Sequence, residues 1–201
     1  MERGYLVPIM HTNRKGVLYY LGRAVTRTGK GRYVFNRERP AEPVEVLPPG
    51  YRISESVNGV VSLVKDAPSI FRPEEVATVK AAVGRHPHPS RYRVVARSDR
   101  IEVYERSGMD IDEAAEILGM NGRLTASRLA MTQARLDRTA RYDPVLRFSL
   151  LDAGRRTFSV QRRCYLLSLP DWLNLMSIGD IETLAAKVIP ALGSEEFFEL
   201  W

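Results

Sequence analysis

The feature that most constrains the fold of this chain is the pairing of β-type runs across glycine-containing turns. Residues 17–25 and 32–35 are rich in β-branched and aromatic side chains, and Thr28-Gly29-Lys30-Gly31 lies between them. Such side chains favour extended strands, while Gly adopts the positive φ angles that tight turns require. The pattern predicts a β-hairpin. A chain that pairs its strands so locally builds antiparallel sheets.

A second hairpin is predicted over residues 51–64. Asn58-Gly59 is the strongest turn signal of the chain, because both residues tolerate the positive φ of a type I′ turn. Residues 38–49 hold four prolines, which favour irregular structure between the two hairpins. The first 65 residues therefore predict a small, basic, all-β module.

The rest of the chain mixes helices with further hairpins. Hairpins are predicted over residues 92–104 and 145–167, and helices over residues 73–84, 112–118, 124–139, 171–175, 181–192 and 194–201. The fold class is α+β, with antiparallel β-hairpins interspersed with helices. We predict two domains, a basic β-hairpin module over residues 1–65 and an α+β domain with a helical C-terminus over residues 66–201.

The excess positive charge lies in residues 13–39, which we call the basic segment. The formal net charge is +6, and residues 1–65, with 11 basic and 5 acidic side chains, account for all of it. Clustered cations interleaved with aromatic residues favour a polyanionic partner. We therefore predict non-enzymatic binding of the nucleic-acid phosphate backbone. The predicted contacts are the eight cations of the basic segment: Arg14, Lys15, Arg23, Arg27, Lys30, Arg32, Arg37 and Arg39.

Other functions fit the same residues. An acidic protein surface would also attract these cations, and strands at a sheet edge often carry Arg and Lys simply to prevent pairing with other chains. The main alternative is a protein-interaction or scaffold subunit, with a homo-oligomer formed through Phe198 and Trp201 if both are exposed. An enzyme whose site is assembled from scattered residues also remains open.

Recognisable catalytic and metal motifs are missing from the sequence. The Thr28–Gly31 stretch lacks the upstream Gly and the following Ser or Thr of a phosphate-binding loop. His86 and His88, with Cys164 as the single cysteine, are better interpreted as loop histidines than as zinc ligands. No catalytic residue, metal or cofactor is predicted. With no apolar run near the roughly 20 residues of a membrane span, we predict a cytoplasmic protein that does not bind membranes.

Four phrases resemble an uncharacterised family of bacterial proteins. They are LPPGYRISESVNGVVSL (47–63), YDPVLRFSLLDAGRRTFSVQRRC (142–164), PDWLNL (170–175) and SEEFFEL (194–200). Their order and spacing extend the resemblance along most of the chain. It implies a stable, bacterial, cytoplasmic fold, and it implies no function because no activity is known for the family.

Residues 110–136 are similar to the helix-turn-helix of sigma-factor-type regulators. Ser127-Arg128-Leu129 occupies the place where the second helix of that motif enters the major groove. Two departures are Thr125, one place later than the pattern, and Met131, where an Arg is usual. The competing interpretation is two amphipathic helices packed on a sheet. If the motif is real, secondary nucleic-acid contacts are Arg123, Arg128 and Arg135.

Overall fold

The computed structural model describes residues 7–108, 126–166 and 169–199. The strands are β1 (Met10–Thr12), β2 (Leu18–Val25), β3 (Gly31–Asn36), β4 (Tyr51–Glu55), β5 (Val61–Lys65), β6 (Tyr92–Ala96), β7 (Ile101–Ser107), β8 (Arg141–Asp152), β9 (Thr157–Leu166) and β10 (Leu169–Gly179). The helices are α1 (Pro73–Gly84), α2 (Ala126–Thr139), α3 (Ile181–Val188) and α4 (Glu196–Glu199), with a 3-10 turn over Pro89–Arg91. The predicted α+β fold with antiparallel hairpins is confirmed.

The chain divides into two compact units. The first comprises Met1–Ala67 and Thr125–Ala140, and the second comprises Pro68–Leu124 and Arg141–Trp201. That residues 1–65 and 66–201 form separate domains stays a prediction.

Three turns of the first unit share one geometry. Each has an Asn, Thr or Ser three residues before a Gly whose φ is 78–80°, and the pairs are Asn13/Gly16, Thr26/Gly29 and Ser56/Gly59. The Gly N–H donates to the carbonyl of the first residue at 2.8–2.9 Å. The side-chain oxygen of the first residue accepts the N–H that follows the Gly at 2.9–3.0 Å. Backbone and side chain therefore close the same loop.

One turn differs from its prediction. In the hairpin of β4 and β5 only Gly59 has a positive φ, so Asn58-Gly59 does not form a type I′ turn. The loop has three central residues because the Ser56 hydroxyl accepts the Val60 N–H and holds Gly59 in the left-handed region.

Among the described residues, the core of the first unit is formed around β2. Leu21 on β2 is fully buried, and Val44 and Val61 are nearly so. The predicted irregular segment 38–49 contains neither helix nor strand, but it follows β2: the Val44 N–H donates to the Leu21 carbonyl at 3.0 Å. A Cβ at Gly22 would lie 2.4 Å from Pro40 Cβ, so only Gly lets the proline pass this close.

The second unit is an antiparallel sheet with helices on one face. Its order is β10-β9-β8-β7-β6, so each strand lies beside its neighbours in sequence. Apolar side chains of the sheet, such as Phe148 and Val160, pack with Val79 of α1 and Leu184 of α3 in one core. Both helices are capped at their N-termini. At α1 the Glu75 carboxylate accepts the Arg72 N–H at 2.8 Å, and at α3 the Asp180 carboxylate accepts the Thr183 N–H at 2.9 Å.

The helix predicted over residues 171–175 is wrong. These residues belong to β10, where Trp172 pairs with Arg163 and Leu173 with Arg162 of β9. Leu175 is 2% exposed, so pairing and burial outweigh the local pattern that favoured a helix. The helix predicted over residues 112–118 lies outside the described residues, and the helix predicted over 124–139 is observed as α2.

Candidate functional site

The tip of the hairpin formed by β2 and β3 is a fixed platform for cations. Its loop closes through the Gly29 N–H, which donates to the Thr26 carbonyl at 2.9 Å, and through the Lys30 N–H, which donates to the Thr26 hydroxyl at 3.0 Å. Arg27 and Lys30 flank this tip, and both are exposed. The loop backbone thus holds two cations at the end of the hairpin.

The strand register places further cations on both faces of this hairpin. Arg23 of β2 lies opposite Tyr33 of β3, and the next residue, Ala24, lies opposite Arg32. Directly opposed residues share a face and successive residues alternate, so Arg23 and Arg32 lie on opposite faces. The cations therefore surround the hairpin instead of forming one flat stripe.

Two aromatic rings pack on the face of the hairpin that carries Arg23. The Arg23 guanidinium carbon lies 5.7 Å from the centroid of the Tyr33 ring, and that ring meets Tyr51 edge-on at 6.2 Å. Tyr33 and Tyr51 are half-buried. The two tyrosine rings pack against each other, and Tyr33 also contacts the Arg23 guanidinium. The candidates for phosphate binding at this site are therefore the cations and not the rings.

Most cations of the basic segment are exposed and lack ion pairs. Within the described parts of the chain, five exposed side chains have no carboxylate within salt-bridge distance: Arg23, Arg27, Lys30, Arg32 and Arg37. Arg39 is also exposed but interacts with another group of the protein. The neighbouring acid Glu38 is itself exposed. These five side chains are therefore exposed to solvent without a described carboxylate partner.

Arg14 and Lys15 differ from the other predicted contacts because both are half-buried. The Arg14 guanidinium donates to the carbonyls of Asp137 at 3.0 Å and Ala140 at 2.9 Å, at the C-terminal end of α2. A cation there satisfies carbonyls that the helix leaves unpaired. The Lys15 N–H donates to the buried Asn13 side chain. The structure therefore separates these two residues from the exposed five.

The secondary contacts are only partly described. Arg135 is exposed on α2, Arg128 lies on the same helix, and Arg123 lies outside the described residues. The similarity to a helix-turn-helix falls mostly on residues 109–125, which are also outside them, and so that interpretation stays a prediction. Of the predicted docking pair, Phe198 is 61% exposed and Trp201 is not described.

His86 is held inside the second unit. Its Nδ1 accepts the His88 N–H at 3.0 Å, which leaves Nε2 to donate to the Leu192 carbonyl at 3.0 Å. Both ring nitrogens are therefore used within the fold. Among the residues that the structure describes, no group of three or more His, Cys, Asp or Glu side chains has the arrangement of a metal site.

Arginines of the second unit gather around a buried carboxylate. Glu102 is 4% exposed and accepts hydrogen bonds from Arg100 at 2.9 Å, Arg147 at 3.2 Å and the Tyr104 hydroxyl at 2.8 Å. Burial raises the pKa of Glu102, but hydrogen bonds from Tyr104 and Arg100 outweigh it, and the net pKa is lowered. This cluster stabilises the ionised carboxylate of Glu102 inside the fold.

Comparisons with protein-family models, with curated proteins and with solved structures give no match for this chain. The resemblance to an uncharacterised bacterial family stays a prediction, as does the cytoplasmic location. Among the described helices, none has both the length and the apolar character needed to span a bilayer.

Proposed function

We propose that this protein binds nucleic acid without catalysis, through phosphate contacts from the basic segment. The single observation that carries the proposal is the set of exposed cations around one hairpin that have no ion pair among the described residues. They are Arg23, Arg27, Lys30, Arg32 and Arg37. Arg and Lys that neutralise phosphates release condensed counterions, which drives this kind of binding.

The two-faced arrangement supports a duplex as the partner. A two-stranded β-ribbon fits the major groove, whose walls carry a row of phosphates on each side. β2 also pairs with β1, and the Arg23 N–H donates to the Glu42 carbonyl, so the two-stranded part of the hairpin is the stretch beyond Arg23. Arg23 and Arg32 lie on opposite faces where this stretch begins, so it can present a cation to each wall. Arg27 and Lys30 extend the same charge to the tip.

Binding should depend strongly on salt. Five phosphate contacts on B-form DNA correspond to a slope of about −4 to −5 in a plot of log K against log salt concentration. The measurement is fluorescence anisotropy with a labelled duplex of about 20 base pairs, roughly two helical turns, between about 50 and 200 mM salt. An RNA duplex of the same sequence shows which nucleic acid is preferred.

Charge reversal tests the named residues. The double variant Arg23→Glu, Arg27→Glu is expected to lose binding near physiological salt, and its remaining low-salt slope should fall by about 2. The control is Arg85→Glu, Arg155→Glu, which makes the same change of net charge at two exposed positions of the second unit. Unchanged binding in the first variant, or equal losses in both, would refute the proposal.

A second comparison tests whether both faces of the hairpin contact the duplex. Arg23→Ala and Arg32→Ala remove one cation from each face of the hairpin. Both single variants should weaken duplex binding by similar factors if both faces meet phosphates. If only one of them weakens binding, a single face makes the contact and the groove arrangement is wrong.

A further inference from the structure

A large apolar side chain is exposed near the tip of the hairpin formed by β2 and β3. Val25, the last residue of β2, is 69% exposed, whereas Leu21, on the same face of the strand, is fully buried. The bond from the Arg23 N–H to the Glu42 carbonyl lies before Val25 in the chain. Val25 therefore belongs to the two-stranded part of the hairpin, where its side chain meets solvent.

The surface beside Val25 is open. Its partner across the hairpin is Gly31, and a Cβ placed at Gly31 would meet no described atom within 4 Å apart from its chain neighbours. Directly opposed residues share a face, so this gap lies next to the Val25 side chain. A group of a partner molecule can reach the Val25 methyl groups from this side without displacing a described side chain.

Two cations flank Val25 along the chain. Arg23 lies two residues before it on the same face, and Arg27 lies two residues after it at the tip. Both are exposed and have no carboxylate partner among the described residues. Residues two apart in an extended chain are separated by about 7 Å. When Arg23 and Arg27 contact phosphates, Val25 is held against the same duplex between them.

The major groove of DNA offers hydrogen-bonding groups and one kind of apolar group, the 5-methyl group of thymine. We propose that Val25 contacts this methyl group and gives the hairpin a preference for duplex DNA that contains thymine. The inference rests on the proposed function, because the duplex is first bound through its phosphates. Phosphate contacts carry no sequence information, so Val25 is a specificity-determining residue of the same site.

Deoxyuridine in place of thymine removes the methyl group and leaves every phosphate in place. The measurement is fluorescence anisotropy of the unmodified protein with a duplex of about 20 base pairs, roughly two helical turns. The duplex holds only A·T pairs in mixed order, so that thymines are present wherever the protein binds. A second duplex has deoxyuridine at every thymine position. The thymine duplex should bind about fourfold more tightly, which corresponds to one buried methyl-sized group.

A pair of matched variants tests the assignment to Val25. Val25→Ser removes both methyl groups, so the ratio of the two affinities should fall to nearly one. The salt dependence should keep its slope, because no cation is removed. The control is Val60→Ser, since Val60 is 62% exposed just before β5, outside the hairpin formed by β2 and β3. Val60→Ser should keep the fourfold ratio.

The ratio of affinities separates base contact from a role in strand formation. If Val25 acts only as a strand former, Val25→Ser weakens binding to both duplexes equally, and an unchanged ratio would overturn the assignment. Loss of the ratio in Val60→Ser would contradict it as well.

Failure of this inference can be distinguished from failure of the proposed function. Equal affinity of the unmodified protein for the thymine and deoxyuridine duplexes would overturn the inference and leave phosphate binding intact. Binding of neither DNA duplex at about 50 mM salt would also overturn it. If an RNA duplex is not bound either, the proposed function fails with it.

Discussion

Arg27 in the first unit and Arg147 in the second carry the same charge in very different surroundings. Arg27 is exposed at a hairpin tip and pairs with no carboxylate in the described chain. Arg147 is half-buried, donates to Glu102 at 3.2 Å and lies 3.9 Å above the ring of Trp172. The comparison teaches that arginine has two structural roles in this chain, and that a carboxylate within reach decides between them.

The difference follows the distribution of acids along the chain. Residues 66–201 hold 19 basic and 19 acidic side chains, whereas residues 1–65 hold 11 and 5. In the second unit, acids such as Glu102 and Glu75 are buried among arginines and stabilise the fold. The five exposed cations of the basic segment have no carboxylate partner among the described residues, so they contribute little to stability and are directed to solvent.

The largest expected effect comes from removing the buried charge at Glu102. Glu102→Gln removes the buried carboxylate that Arg100 and Arg147 share, which leaves Arg100 paired, among the described residues, with Asp99 alone. Breaking a buried ion pair in this way costs about 3 kcal/mol or more. Urea unfolding followed by circular dichroism measures the loss. The control is Glu38→Gln in the basic segment, an exposed acid whose substitution should change stability by less than about 0.5 kcal/mol. Similar losses of unfolding free energy in the two variants would contradict the contrast between the buried acid of the second unit and the exposed acid of the basic segment.

An intermediate effect is expected from the arginines themselves. Arg147→Ala removes one hydrogen bond to Glu102 and the stacking on Trp172, and should lower the free energy of unfolding by about 2 kcal/mol. Arg23→Ala removes only an exposed contact with Tyr33, which is expected to cost less than about 1 kcal/mol. The same urea experiment measures both. A larger loss for Arg23→Ala would show that the basic segment stabilises its unit.

The smallest effect is a dependence of stability on pH. Burial raises the pKa of Glu75, but hydrogen bonds from Arg156 and from the Arg72 N–H outweigh it, so the net pKa is lowered, as at Glu102. A carboxylate with a lowered folded pKa stabilises the protein above its unfolded pKa. That stability is present above the ordinary value of 4.5 and is lost as the pH falls through the lower folded value.

Unfolding experiments from neutral pH down to about pH 3 measure this slope. In Glu102→Gln the slope should be shallower than in the unmodified protein, because one of the two carboxylates no longer titrates. In Arg23→Ala the slope should be unchanged, since Arg23 has no carboxylate partner among the described residues. A steeper slope in Glu102→Gln would contradict the proposed role of this carboxylate.

Local signals predicted the hairpins well. Gly29 and Gly59 mark turns because their φ angles are positive, and this requirement is visible in the sequence. The Thr26 and Ser56 side chains that close these turns were missed, although their fixed distance from Gly is a signal that the sequence also contains. The clustering of positive charge in the basic segment could likewise be read directly from the sequence.

Long-range pairing was not predictable in the same way. Residues 171–175 form a strand because β9 lies beside them, and the split of Arg23 and Arg32 between two faces depends on the register of β2 and β3. Arg14 donates to the carbonyls of Asp137 and Ala140, which lie far away in the sequence. Such contacts depend on tertiary pairing, which periodicity within a short window does not contain.

The recurrent turn of the first unit has an evolutionary consequence. The bonds that close it come from its first residue, its Gly and the backbone, so the side chain at position 27 is not needed for closure. Mutation can exchange a basic tip for a neutral or acidic one while the scaffold is inherited intact. What this hairpin recognises can therefore diverge between descendants faster than the architecture that displays it.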